Sequence, residues 1–257
     1  MMKLLSIEFK KVLSYSAFWV FISLYAALLL LVFLAFATFK MPGMPSNMPT
    51  SNPLFIFPAL WHTLTYVAGW FNLLFGVLIV ILITNEFTFR TVRQNIIDGW
   101  SVNQFVSAKV LLLVFLALAA TIYVFLIGIV YGLIASPSKT GADIFGQMDF
   151  VLAYFVQALG YFSFALFMGT LFKKAGMGII FFLLYTKIIE FLIGLPLPDK
   201  IENCLPFHSM SKLISFPIEI PGMSVDTSPL GIQFGFALFY SCLFILGTWL
   251  LLKKRDI

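Results

Sequence analysis

Residues 110–138 read VLLLVFLALAATIYVFLIGIVYGLIASPS, a run without a single charge. At about 1.5 Å of rise per residue, a helix of this length exceeds the roughly 30 Å hydrocarbon core of a bilayer. In lipid the backbone must satisfy its own hydrogen bonds, so such a run spans as a helix. Residues 12–39, 150–172 and 227–252 are equally free of charge. The run 41–85 is also uncharged, but Pro42, Pro45, Pro49, Pro53 and Pro58 break any helix in its first part. That stretch is read as a loop over 40–58, with a span at 60–84. A sixth apolar stretch, 175–195, carries Lys187 and Glu190. The fold expected is an all-α integral membrane protein. It has six transmembrane helices, near 16–39, 60–84, 110–135, 150–172, 175–195 and 230–252, in one transmembrane domain over 1–257.

Composition agrees. Of 257 residues, 61% are hydrophobic and 11% charged, where a soluble domain carries about 25% charged residues. Six spans leave no room for a separate soluble catalytic domain. Cys204 and Cys242 are too few for a disulfide framework.

The net charge of +5 is explained by its distribution. Lys3, Lys10, Lys11, Arg90, Arg93, Lys109, Lys173, Lys174, Lys253, Lys254 and Arg255 flank the spans on one side. Lys40, Lys139, Lys200 and Lys212 flank them on the other. The excess of basic residues marks the cytoplasmic side and puts both termini there. Nucleic acid is not needed as a partner. Ala35-Phe36-Ala37 resembles a signal-peptidase site, but the apolar run before it is too long for a signal sequence. The first span is therefore expected to be retained.

Outside the spans, Leu5, Phe9, Val12 and Leu13 fall at helical spacing among Lys3, Lys10 and Lys11. This predicts an interfacial helix over 1–15, or an extension of the first span. The segment 85–109 is the sizeable cytoplasmic loop. In it Phe89, Val92 and Ile96 form an apolar stripe, Gly99 stops the helix, and Ser101-Val102-Asn103-Gln104 matches a capping box. The loop is thus a folded helix–break–helix element. On the opposite side, 196–229 is cut by six prolines into short helices resting on the outer membrane face.

Signs of chemistry are few. The chain has no G-x-x-x-x-G-K-[ST] phosphate loop and no G-x-S-x-G nucleophile motif, so no catalytic residues are expected. His62 and His208 have no ligand-spaced neighbours, and no metal site is expected. Gly128 and Gly132, and likewise Gly231 and Gly235, are spaced for close helix packing, internal or between copies. Lys187 and Glu190, three residues apart in a span, form an intramembrane charged pair or leave Lys187 to snorkel outward.

Residues 86–109 carry a resemblance beyond periodicity. Glu86, Thr91-Val92-Arg93, Ser101 and Lys109 fall where the ABC-2 class of ATP-binding-cassette exporter permeases has an acidic residue, a Thr-x-Arg element, a serine and a lysine opening the third span. The stretch Gln94-Asn95-Ile96-Ile97-Asp98-Gly99-Trp100-Ser101 is similar to a bacterial subgroup of that class, and Val102 departs from its usual arginine.

The resemblance implies a permease subunit in the bacterial inner membrane. It implies a coupling element built from Glu86, Phe89, Thr91, Val92, Arg93, Ile96, Asp98 and Gly99. Glu86 contacts the ATPase or ties back to Arg90 or Arg93. The implied partners are ABC ATPase subunits in two copies, a second permease copy or paralogue, and membrane lipid. ATP and Mg would be bound by the ATPase, with no cofactor in this chain. An ion-coupled carrier and a non-transporting scaffold are the alternatives. The substrate is left open among lipid, peptide antibiotic, ion and a motility-linked role.

Overall fold

The computed structural model describes residues 2–38, 53–217 and 231–254. Its helices are α1 Met2–Leu13, α2 Ser16–Thr38, α3 Ala59–Thr88, α4 Thr91–Ile97, α5 Val102–Ala135, α6 Gly141–Phe145, α7 Asp149–Phe172, α8 Ala175–Leu184, α9 Glu190–Gly194, α10 Asp199–Glu202, α11 Pro206–Lys212 and α12 Ile232–Lys254. A π-helical turn, Tyr185–Ile189, joins α8 to α9. Among the described residues no strand occurs, and six segments are long and apolar enough to cross a membrane. Their helices begin and end within a few residues of the expected spans, except that α3 and α5 extend beyond the spans expected for them, as 30- and 34-residue helices. The proline-rich 40–52 stretch, Pro221, Pro229 and the tail 255–257 lie outside the described residues.

The fourth span is the axis of the bundle. In its most apolar stretch 78% of residues are buried, against 22% for the first span. It packs on α3, α5, α8 and α12. Small residues allow this: at Gly169 a Cβ would come within 2.0 Å of Ile83 Cγ2, so only glycine admits α3 so close. Polar pins add specificity. Tyr154 Oη donates to Asn72 Oδ1 at 3.1 Å, so Tyr25 Oη, 2.8 Å away, must donate to Tyr154. Such interhelical bonds contribute about 0.6 kcal/mol each in lipid.

Side-chain contacts assign the two ends. At one end, Trp249 Nε1 donates to Asn103 Oδ1 at 2.6 Å, Lys173 Nζ stands over the Phe87 ring, and α1 packs on α5. The N-terminal helix, α4 and the close of α12 therefore share an end. At the other, Trp61 Nε1 donates to Ile144 O and Tyr240 Oη to Cys204 O.

Three expectations are corrected in detail. Gly128 and Gly132 receive side chains, the rings of Trp61 and Phe57, rather than a neighbouring backbone. The pair is intramolecular packing. The α10–α11 segment does not simply rest on the membrane face. Pro206 opens α11, whose Phe207 and Met210 are buried in the bundle. Phe207 meets Tyr161 and Phe164, each at 4.9 Å between ring centroids. Finally, α1 turns Glu8 and Val12 inward, while Ile7 and Leu13 stay exposed. Its inward face is thus mixed, not purely apolar.

Candidate functional site

The segment between the second and third spans is built by backbone stops. Phe89 N–H donates to Asn85 O as α3 ends, and Arg90 takes a left-handed φ of +56° that turns the chain into α4. Gly99, at φ +91°, ends that turn of structure where a side chain would be strained. Ser101 then caps α5. Its side chain accepts from Gln104 N–H, and the Gln104 side chain accepts from Ser101 N–H at 3.0 Å. The expected helix–break–helix is present, with Phe89 at the close of α3 rather than on α4.

Beneath this element three helices bring charges together. Lys109, about two turns into α5, donates to both Glu8 of α1 and Glu86 of α3. Lys11 reaches the other Glu8 oxygen at 3.4 Å. Glu8 and Lys109 are buried, and Glu86 is 9% exposed. Two carboxylates and two ammonium groups balance, which is what permits burial here. A cavity of about 190 Å³ adjoins the cluster, lined by Lys11, Tyr15, Asn85, Phe89 and Thr91 among others. Asn85 Nδ2 donates to Tyr15 Oη at 2.8 Å, a further tie to the N-terminal segment.

The predicted coupling residues separate into two faces. Val92 is buried in the bundle core and Glu86 in the ionic cluster. Phe89 is 68% exposed, and Arg93, Asp98 and Gly99 are exposed with it. Thr91 Oγ1 donates back to Glu86 O at 3.3 Å. Ile96 lies on the α4 backbone. The single stripe expected for Phe89, Val92 and Ile96 is therefore split. Ile97, not singled out in the sequence, is 75% exposed beside it. The expected tie from Glu86 to Arg90 or Arg93 is replaced by one to Lys109.

The intramembrane pair is also corrected. Lys187 Nζ lies 4.1 Å over the Trp70 ring, while Glu190 Oε1 accepts from His208 N–H at 2.5 Å. The reason is the π turn between them. Its wider winding swings residues three apart off the common face that an α-helix would give them.

Gly235 meets nothing within 4 Å, and Gly231 is exposed at the start of α12, so this motif packs nothing within the described chain. No group of three metal-ligating side chains occurs among the described residues.

Glu8 joins the site without being among the residues expected there. A carboxylate between Phe9, Val12 and Leu5 on an otherwise apolar face was its signal, since an acid there needs a buried cation. Lys109, standing at the head of a long uncharged run, was the natural candidate. No protein-family model matches the chain, and no curated protein matches it with significance.

Proposed function

We propose that the chain is the transmembrane subunit of an ABC-2-type exporter, driven by a separate ATPase that docks on α4 and its flanking turns. The observation that supports this reading is a rigid element with an outward apolar surface. Phe89 and Ile97 are exposed at either end of α4, with Arg93 between them, while Val92 and the Glu8–Glu86–Lys109 cluster fasten the same element to three helices. A side chain that is anchored below and apolar above transmits force; one on a slack loop dissipates it. Helix-in-groove recognition uses such spaced apolar anchors.

On this reading the α1 end faces the cytoplasm, as the basic residues favour. The membrane is a bacterial plasma membrane, ATP and Mg sit on two partner ATPase subunits, and a second permease copy completes the pathway. The export reading leaves the substrate open. A second reading, an ion-coupled carrier, draws on the same buried carboxylates, because ionisable groups at membrane depth often serve ion relays.

Affinity purification of the full chain with its cellular partners separates the two. Recovery of an ATPase with wild type, and its loss with Phe89→Ser/Ile97→Ser while membrane insertion is unchanged, supports the exporter. A double variant that keeps its ATPase, or transport that collapses with the proton gradient and ignores ATP depletion, overturns it.

A further inference from the structure

A small cavity opens at the end of the bundle opposite α1, between α3, α7, the π turn and α11. Gly69, Trp70, Gln157, Tyr161, Lys187 and Ser211 line it, and its volume is about 110 Å³. Gln157 is 5% exposed, and its Nε2 donates to Met210 O at 2.9 Å. Because that carbonyl can only accept, the amide must present its oxygen to the other side. Gln157 Oε1 is buried there without a hydrogen-bond partner, so close to Gly69 that a Cβ would stand 2.7 Å from it. Lys187 supplies the opposite need. Its ammonium sits on the Trp70 ring with no carboxylate within 4 Å among the described residues. Trp70 is 56% exposed, and Ile188 and Phe191, close to Lys187 in the chain, are exposed too, which is the surface expected toward lipid.

The cavity thus holds an acceptor lacking a donor and a cation lacking an anion. A buried amide oxygen left unpaired is costly, and a ligand that satisfies it gains accordingly. We propose that this cavity binds an amphiphile headgroup in which an anionic oxygen lies beside a hydroxyl or ammonium donor. The phosphate-type oxygen meets Lys187, and the donor meets Gln157 Oε1. Tyr161 and Trp70 wall the space, and the apolar tail lies outside along Trp70. Headgroups whose nitrogen is fully methylated offer no donor and are refused. The proposal depends on membrane embedding alone and not on an ATPase partner.

The test uses the full chain in nanodiscs of phosphatidylcholine containing equal small fractions of phosphatidylethanolamine and phosphatidylglycerol. Retained lipid is counted by native mass spectrometry after detergent extraction. Wild type should enrich the ethanolamine or glycerol lipid over phosphatidylcholine by about tenfold or more, the scale of one charge-assisted hydrogen bond. Lys187→Met should abolish the enrichment. Gly69→Ala, which fills the space at Oε1, should do the same. Equal retention of all three lipids by wild type overturns the proposal without recourse to any variant. So does enrichment that survives Lys187→Met. Displacement of the lipid by millimolar phosphoethanolamine or glycerol phosphate would assign the site to a soluble solute of the same chemistry. Failure to displace it would assign the site to the bilayer.

Discussion

Helices α4 and α11 are each seven residues long, and each closes one end of the same bundle. They are held in opposite ways. In α11, Phe207 and Met210 are buried, and Leu213 and Ile214 just beyond it are buried too. In α4 and its turns, Val92 and Asn95 go inward, while Phe89 and Ile97 remain largely exposed. Helix α11 turns its apolar side chains into its own bundle; α4 leaves Phe89 and Ile97 outside, above a charge cluster that ties α1, α3 and α5 together. A helix that closes a fold and a helix that presents a surface can thus share length and position, and differ in which way their large side chains point.

Cutting the charge anchor should give the largest effect. Lys109→Met leaves Glu8 and Glu86 buried with Lys11 as their remaining cation, and breaking a buried pair from one side costs about 3–5 kcal/mol. Thermal unfolding in detergent should register a drop of that order. Replacing all three, with Glu8→Gln and Glu86→Gln added, should recover part of the loss, since no unpaired charge remains. A triple variant as unstable as Lys109→Met would mean that the cluster is held by shape and not by charge.

The apolar anchor of α11 comes next. Met210→Ala removes a buried side chain that packs against Gly160, where a Cβ would lie 2.5 Å from Met210 Cε. Large-to-small replacement of this kind costs about 2–5 kcal/mol. By contrast Phe89→Ser/Ile97→Ser should change stability by no more than about 0.5 kcal/mol per site, because exposed positions carry little packing. Equal destabilisation by the two changes would erase the distinction between a plug and a presenting helix.

The amino-acid order made much of this legible and some of it not. Uncharged runs fixed six spans because desolvating one charge in lipid outweighs most local preferences. Gly99 and the Ser101–Gln104 box were readable because stops and caps are local chemistry. What escaped was tertiary. Phe89 and Val92 share a spacing, yet the left-handed Arg90 between them turns one outward and the other inward. The Lys187–Glu190 pairing assumed α-helical winding, and a π turn follows from no residue pattern in 185–189. Glu8 meets Lys109 across 101 positions, a distance at which periodicity is silent. Gln157 carries no signal at all until Met210 is seen to occupy one end of its amide.

The smallest expected effect lies on α11 and sharpens the contrast through pH. His208 holds its Nδ1 3.3 Å from Glu202 Oε1, while its Nε2 is buried without a partner. Burial, aided by the nearby Lys212, pushes its pKa below the usual imidazole value, and Glu202 only partly opposes this. The folded chain therefore prefers the neutral ring, and the unfolded chain binds a proton more readily. Stability linked to His208 is fully present above the ordinary histidine pKa of about 6.5. It declines as pH falls through that value toward the lowered folded one, and is constant below both. Melting temperatures of wild type and His208→Gln measured from pH 8 to pH 5 should diverge on the acid side, with wild type losing more. The ring is partly exposed, so solvent screening keeps the divergence small. Parallel curves, or a wild type that gains stability in acid, would show that Glu202 governs the ring. α11 would then be held partly by charge, like the α1–α3–α5 junction beneath α4.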